Sequence, residues 1–252
     1  MRAQCFACDE TIEAEDVATI RDLFVAHGQS DHDWSYPEEA LRKFLQNFAE
    51  VAERQTGSTE RLAEIGEIEV HPVPEGRLDD WLQFFDHEAF ADNPDWGSCY
   101  CISPHVPATE DDPKLLWDAN RAAMIERIRT QGTYGYLAYV DGNPAGWVNA
   151  SAQSDYGRYA SVDPDGPEPS SVIGVSCFVI SPPFRAHGVA SLLLDRVIED
   201  ARSRGASWVE GYPSDGASTT HSFHGPKSMY DTRGFEVIET RGGDTVVRLP
   251  VK

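Results

Sequence analysis

The sequence predicts an α/β fold of the α+β kind, in which helices flank a mixed and mostly antiparallel sheet. From Glu67 onward, β-rich runs alternate with amphipathic helical segments. Late in the chain, the apolar run VIGVSCFVI, the helical segment GVASLLLDRVIEDARSRG and the run SWVEGYP follow one another. A strand–helix–strand order of this kind predicts two parallel neighbouring strands within the sheet.

The remaining elements follow from periodicity and turn signals. EIEVHPV predicts the first strand, GRLDDWLQFFDHEAF a helix, and KLLWDANRAAMIERIRTQG a second amphipathic helix. YGYLAYVDGNPAGWVNAS predicts a hairpin, because its two β-rich runs enclose the turn signal Asp141-Gly142. After the parallel strands, HGPKSMYDTRGF predicts a short helix and EVIETRGGDTVVRLP a final hairpin.

The chain is long enough for one large domain with a small appendage. It has 252 residues, of which 40% are hydrophobic. Residues 1–66 differ from the rest, and within them YPEEALRKFLQNFAEVAERQTG predicts an amphipathic helix. We therefore expect an N-terminal segment over 1–66 and the main domain over 67–252.

Charge and composition exclude several classes of function. A formal net charge of −21 argues against nucleic acid as a partner, although an acidic surface can gather cationic substrates. We expect no membrane span, because no apolar stretch approaches the roughly 20 residues that one requires. The start MRAQCFACDE lacks the apolar region of a secretory signal, so a cytoplasmic location is expected. Whether the chain forms a homodimer is left open.

The segment RAHGVA joins the central apolar run to the helical segment that follows it. A helix N-terminus offers unpaired backbone N–H groups and the positive end of the helix dipole. Gly188 and Ala190 are small enough for a ligand to approach the backbone, and Arg185 adds a positive charge. These features suit a pyrophosphate, although a plain strand-to-helix turn would explain the six residues about as well.

The surroundings of this loop are more specific. CFVISPPFRAHGVASLLLDRVIEDARSRGASWVEGYP, followed by MYDTRGFEVIE, resembles the GNAT superfamily of acetyl-CoA-dependent N-acetyltransferases. The resemblance covers 67–252 in the order of elements and is sharp over about 173–239. It implies a GNAT fold in which the two parallel strands splay apart at the acetyl-CoA site. The residues that it assigns to acetyl-CoA are, for the pantetheine arm, Phe178, Val179 and Ile180 and, for the pyrophosphate, Arg185, Ala186, His187, Gly188, Val189 and Ala190.

Acetyl transfer to an amine needs a group that deprotonates the amine and an acid that protonates the leaving thiolate. The resemblance matches Tyr230 to the family's late tyrosine, whose hydroxyl approaches the coenzyme's sulfur. The central strand lacks the glutamate that many members carry, so the nearest candidate base is Glu210 in SWVEGYP. His224 is a further candidate base, since imidazole titrates near neutral pH. Cys177 could suggest a covalent acyl-enzyme, but a buried inert thiol is the simpler interpretation.

The acceptor itself cannot be identified from the sequence. Trp96 and Tyr100 in DNPDWGSCYC are the residues expected to line its pocket. We expect a primary amine of a small molecule that attacks the thioester directly. A protein or peptide amine and a non-enzymatic acyl-CoA-binding interaction module remain the alternatives.

The N-terminal segment carries a possible zinc site. Cys5-x2-Cys8 and His27-x4-His32 have the ligand types and order of a structural tetrahedral zinc ion, as in zinc fingers. Residues five apart do not share a face of a regular helix, so the helix would have to loosen near Gly28. Cys99 and Cys101 could instead complete an all-cysteine site with Cys5 and Cys8.

Overall fold

The computed structural model describes residues 2–4, 11–32, 65–90, 94–107, 117–132, 134–158, 166–213, 223–241 and 244–252. The strands are β1 (Arg2–Gln4), β2 (Thr11–Glu13), β3 (Ile68–Pro72), β4 (Tyr134–Val140), β5 (Asn143–Ala152), β6 (Val172–Ile180), β7 (Trp208–Gly211), β8 (Glu236–Arg241) and β9 (Asp244–Pro250). The α-helices are α1 (Val17–His32), α2 (Leu78–Gln83), α3 (Trp117–Arg129), α4 (Val189–Ser203) and α5 (Lys227–Asp231).

The main sheet has seven described strands in the order β3-β4-β5-β6-β7-β9-β8. Every neighbouring pair is antiparallel except β6 and β7, which are parallel. The predicted mixed sheet and its parallel pair are therefore confirmed. The hairpin of β4 and β5 turns at Asp141 and Gly142, whose φ angles of 48° and 80° suit the short turn that an Asp-Gly pair favours.

A hydrophobic layer covers each face of this sheet. Alternate residues of β5 serve the two layers: Val148 packs against the layer of α4 and α5, whereas Trp147 packs against the layer of α2 and α3. Gly135 on β4 lies directly under Trp147, and a Cβ atom there would be 1.7 Å from the indole ring. Only glycine fits that position, so Gly135 of β4 is required for the close packing of Trp147 in the second layer.

Helix α4 crosses the first face with one apolar stripe. Its buried residues recur at three- and four-residue steps, as an amphipathic helix requires. They are Val189, Leu193, Leu194, Val197, Ile198 and Ala201. This packing fixes the N-terminus of α4 against the end of β6, where the predicted pyrophosphate loop lies.

The predicted helix over GRLDDWLQFFDHEAF is regular only in its first part. A π turn over Phe84–Glu88 follows α2, and the Ala89 N–H donates to the Phe84 carbonyl at 2.8 Å. Phe84 and Phe85 are adjacent in sequence and both are buried, and the wider turn keeps both rings in the core.

The described part of the N-terminal segment forms a small hairpin and a helix. β1 pairs with β2 in antiparallel register, and α1 continues as a regular helix through His32. The amphipathic helix predicted over YPEEALRKFLQNFAEVAERQTG lies outside the described residues. Within the described ranges, no helix is both long enough and apolar enough to cross a membrane.

Candidate functional site

The loop before α4 has a left-handed backbone at two positions. Ala186 has a φ of 61° and Gly188 a φ of 85°, and Gly188 is the residue that caps the helix N-terminus. A Cβ atom at Gly188 would meet nothing within 4 Å, so the backbone here is open to a ligand. Glycine is the residue that adopts this conformation without strain. The loop thus combines an accessible backbone with the positive end of a 15-residue helix.

The side chains of this loop have different surroundings. Arg185 is exposed, and its Nε donates to the Ile180 carbonyl at 2.9 Å. His187 has a buried Nε2 atom with no hydrogen-bond partner among the described residues. Val189 is buried in the core, so that only its backbone N–H could serve a ligand. A cofactor phosphate at this loop would therefore meet mainly backbone donors, with Arg185 nearby.

The parallel strands part just before this loop. The register of β6 with β7 ends at Val175 opposite Gly211, whereas β6 itself extends through Ile180. We call the β7-facing side of β6 along 176–180, beyond the last paired residues, the β6–β7 opening. The predicted splay of the parallel strands is therefore present, and it leads directly to the N-terminus of α4.

The backbone groups of β6 alternate between β5 and this opening. The Ser181 N–H donates to Ala145 on the β5 side, whereas the Phe178 N–H donates to the Phe223 carbonyl at 2.6 Å and the Ile180 carbonyl accepts from Arg185. Because alternate residues of a strand direct their backbone groups to opposite sides, those of Val179 face β5. An added strand at the opening can therefore pair with Phe178 and Ile180 but not with Val179.

Tyr230 lies on α5 behind the opening and is fully buried. Its hydroxyl donates to the His224 carbonyl at 2.8 Å. Burial raises the pKa of Tyr230 well above its usual range, and nearby Cys177 and Tyr156 add to the rise. The hydroxyl therefore keeps its proton throughout the neutral range and acts as a donor.

Glu210 is buried within a dense set of hydrogen bonds. Arg248 on β9 donates to Oε2 through Nε at 3.0 Å and Nη2 at 2.5 Å. Gln153 and Tyr212 donate to Oε1 at 2.6 Å and 2.8 Å. Protonation of this carboxylate would leave a buried guanidinium without its counter-charge, which is costly. This geometry argues against the predicted role of Glu210 as general base.

The two aromatic residues expected at the acceptor pocket lie in different places. Trp96 is half-buried, and its ring centroid is 5.9 Å from that of Phe223, next to the opening. Tyr100 is 0% exposed and packs against Trp81 and Phe85. The expectation that Tyr100 lines an open pocket is therefore corrected, because its side chain is not exposed and its hydroxyl donates to Asp86 at 2.7 Å.

The structure adds His224 to the residues at the opening. Its Nδ1 atom is 2.6 Å from the carbonyl oxygen of Ser176, and its ring lies 6.5 Å from that of Tyr212. Sequence reasoning ranked His224 below Glu210 because no motif surrounds it. The signal lies in the tertiary contact with β6, which the sequence does not reveal.

The predicted metal ligands are only partly within the described ranges. Cys5 and Cys8 lie outside them, and among the residues that are described no group of three or more His, Cys, Asp or Glu side chains is arranged to hold a metal ion. Nδ1 of His27 pairs with Asp31 at 2.6 Å. Helix α1 does not loosen near Gly28, so the condition for His27 and His32 to converge is not met.

The alternative all-cysteine site is also disfavoured. Cys101 is buried, and its Sγ atom lies 3.1 Å from Sγ of Cys177. Burial, followed by the neighbouring Cys177, raises the pKa of the Cys99 thiol to about 11. Thiols bind metals as thiolates, so these surroundings suit inert thiols better than ligands.

Comparisons with known proteins agree with this geometry. The profile of the Acetyltransferase (GNAT) family matches residues 78–219, which is more than half of the chain. Among curated proteins, none matches this chain in sequence.

Three solved structures illustrate the similarity. An N-acetyltransferase from Staphylococcus aureus Mu50 shares 14% identity over 74% of this chain and 100% of its own, with a TM-score of 0.47. The PaiA N-acetyltransferase from Thermoplasma acidophilum, in complex with coenzyme A, shares 13% identity over 73% of this chain and 99% of its own, with a TM-score of 0.46. A GNAT-family acetyltransferase from Streptococcus pneumoniae shares 16% sequence identity over 74% of this chain and 100% of its own, with a TM-score of 0.44. From the family match over more than half of its length, the chain belongs to the GNAT acetyltransferase family and is an acyltransferase.

Proposed function

We propose that the protein transfers the acetyl group of acetyl-CoA to a primary amine of a small molecule by direct attack on the thioester. The observation that carries the proposal is the continuity of the β6–β7 opening with the N-terminus of α4. An extended thiol arm fits the opening, and a pyrophosphate fits the helix N-terminus.

The residues that would hold acetyl-CoA fall into two groups. Phe178 and Ile180 present their backbone groups to the pantetheine arm. The loop residues Arg185, Ala186, His187, Gly188, Val189 and Ala190 surround the pyrophosphate. Acetyl-CoA, when bound, supplies the activated acetyl group as a thioester. We propose that the Phe178 N–H donates a hydrogen bond to the acetyl oxygen. It would then give up its present hydrogen bond to the Phe223 carbonyl.

We propose Tyr230 as the acid that protonates the leaving sulfur. Burial keeps its proton in place, and the hydroxyl already donates, at present to the His224 carbonyl. Transfer to a thiolate requires a small rotation away from that carbonyl. A thiolate that forms in a buried place is a stronger acceptor than a carbonyl, because charged acceptors make stronger hydrogen bonds.

Glu210 has a positioning role in this proposal. Its carboxylate joins Arg248 of β9, Tyr212 of β7 and Gln153 of the turn after β5. These contacts tie together the three elements that border the start of the opening. The proton acceptor for the amine is then a different group.

The acceptor is proposed to be cationic and small. A net charge of −21 favours a positively charged amine over an anionic one. Trp96 and the adjacent Phe223 form an apolar border that could pack against the carbon chain of such an amine. The same charge would also suit a basic peptide, so a peptide amine is the second candidate.

A panel of acceptors separates the two candidates. Purified protein is incubated with acetyl-CoA and, separately, with spermidine, free amino acids, aminoglycosides or lysine-rich peptides. Free coenzyme A and the acetylated product are both measured. We expect turnover with one or more small amines and at least tenfold lower kcat/KM for peptides. The reverse order would establish the peptide alternative, and no turnover with any amine would contradict the proposed reaction.

Two further features of the sequence remain proposals. The first is a division into an N-terminal segment over 1–66 and an acetyltransferase domain over 67–252. The second is a structural zinc ion at Cys5, Cys8, His27 and His32, which would require the two histidines to converge although both lie on the regular helix α1.

A further inference from the structure

His224 occupies the start of the β6–β7 opening. Nδ1 lies 2.6 Å from the Ser176 carbonyl, and the carbonyl of the preceding residue, Phe223, accepts the Phe178 N–H at 2.6 Å. The carbonyl of His224 itself accepts the hydroxyl of Tyr230 at 2.8 Å. Two hydrogen bonds of His224 and one of its neighbour Phe223 therefore hold this segment between the proposed cofactor strand and the proposed acid.

The contact with Ser176 determines which ring nitrogen carries the proton. A carbonyl oxygen only accepts hydrogen bonds, so Nδ1 of the neutral imidazole must donate. Nε2 then holds the lone pair. A backbone carbonyl that orients an imidazole through Nδ1 leaves Nε2 as the basic atom, which is the arrangement that a general base needs.

Ser176 provides a second, independent observation at the same place. Its side chain is fully buried, and its Oγ atom has no hydrogen-bond partner among the described residues. A buried hydroxyl without a partner costs roughly 1–3 kcal/mol, so such groups in native proteins usually meet a ligand or water. The residue that anchors His224 thus also carries a buried hydroxyl that the described residues leave without a partner.

The carboxylate of Glu210 is poorly suited to accept a proton. Both oxygens of Glu210 accept hydrogen bonds, and Arg248 holds one of them through two N–H groups. Protonation of Glu210 would break its largely buried ion pair with Arg248, which is unfavourable. Of these two candidate bases, His224 is the better proton acceptor.

We propose that Nε2 of His224 is the general base of the transfer, an inference that rests on the proposed function. The acceptor ammonium gives one proton to Nε2, and the neutral amine forms a C–N bond to the acyl carbon. The C–S bond then breaks, and the sulfur leaves with its electron pair and takes the Tyr230 proton. The second proton of the attacking nitrogen returns to the Tyr230 oxygen, and the imidazolium releases its proton to solvent.

Within the described ranges, titratable groups near His224 come from three elements. Tyr212 follows β7, Tyr230 lies on α5, and Cys177 on β6 is near enough to influence Tyr230. Beyond Tyr212 lies the ion pair of Glu210 with Arg248. Because the ion pair has no net charge, we assign an acidic limb of the pH–rate profile to the imidazole of His224.

The decisive variant is His224→Asn. The amide N–H of asparagine can occupy the place of Nδ1 and keep the contact with Ser176, but no basic nitrogen remains. With the best amine of the acceptor panel, we expect kcat/KM at pH 7 to fall roughly 10²-fold or more. The loss should shrink as the pH approaches the pKa of the amine, and calorimetric affinity for acetyl-CoA should stay within about twofold.

His71→Asn is the matched control. His71 lies on β3 at the far edge of the sheet, where its Nε2 contacts Glu69 at 3.2 Å, and its replacement should leave kcat/KM within about twofold. Full activity in His224→Asn, or an equal loss of activity and acetyl-CoA affinity, would overturn the proposal. Wild-type protein that binds acetyl-CoA but acetylates no amine would instead refute the proposed function.

A measurement on the wild-type protein guards against a variant that fails to fold. Long-range ¹H–¹⁵N spectra of histidine-labelled protein identify which ring nitrogen carries the proton. We expect the Nδ1–H form for His224 above its titration. The Nε2–H form would overturn the proposal, because the basic atom would then be turned toward Ser176.

Discussion

Two glycines at opposite ends of α4 allow a matched test of the pyrophosphate loop. Gly188 at the N-terminus has a φ of 85°, Gly205 just beyond the C-terminus has a φ of 77°, and a Cβ at either position would meet nothing within 4 Å. Alanine at each site therefore adds only the strain of the left-handed backbone, about 1–2 kcal/mol. Gly188→Ala and Gly205→Ala should lower the free energy of unfolding equally.

Only Gly188→Ala should weaken the binding of acetyl-CoA. The added methyl at Gly188 projects into the open space that a phosphate would occupy, and the loss of one hydrogen bond to a charged group costs about 1.5–3 kcal/mol. Isothermal titration calorimetry should therefore give a roughly 10- to 100-fold higher Kd for Gly188→Ala. Gly205→Ala should bind like the wild type.

Two results for this pair of variants would contradict the assignment of Gly188 to the cofactor. Wild-type acetyl-CoA affinity in both variants, with both folded, would show that the backbone at Gly188 does not contact the cofactor. Equal weakening in both would mean that strain in α4, and not the methyl group, controls binding. Urea unfolding of each variant provides the stability comparison on which this distinction depends.

Three further predictions concern acid, stability and metal. Tyr230→Phe should lower kcat roughly 10²-fold with acetyl-CoA affinity unchanged, and near wild-type kcat would assign the acid role elsewhere. Burial and nearby Arg127 lower the pKa of His105 from 6.5 to about 4. The unfolded state therefore binds the proton first as the pH falls. Between pH 7 and 5, urea unfolding should show that the wild type loses about 2 kcal/mol more stability than His105→Gln, and equal losses would refute this. If zinc is bound, elemental analysis should find about one equivalent, and Cys5→Ser with Cys8→Ser should lose it; a metal-free native protein would exclude the site.

Local patterns in the sequence predicted most of the sheet, because period-two runs and the Asp141-Gly142 turn act over few residues. The position of β9 between β7 and β8 was not predicted, since strand order depends on contacts between distant segments. That insertion sets Glu210 opposite Arg248 in the sheet register. A glutamate that looked available for catalysis in the sequence is thereby held in an ion pair.

The same distinction between local and long-range contacts applies to the predicted site residues. The loop around Gly188 is a local feature, and its left-handed backbone follows from the glycine itself. The burial of Tyr100 under Trp81 and the anchoring of His224 by Ser176 each join segments far apart in the chain. No spacing rule reports such contacts, and here they decide which side chains can reach a ligand.

Hydrogen–deuterium exchange with and without acetyl-CoA tests the central claim most directly, because it reports where the cofactor lies. With acetyl-CoA bound, we predict slower exchange in the peptides that cover 176–190, and the amides of Ile180 and Gly188 should be among those protected. β8, at the edge of the sheet, should exchange as before. Binding without protection at 176–190, or with protection elsewhere, would contradict the assignment of the β6–β7 opening and the N-terminus of α4 to acetyl-CoA.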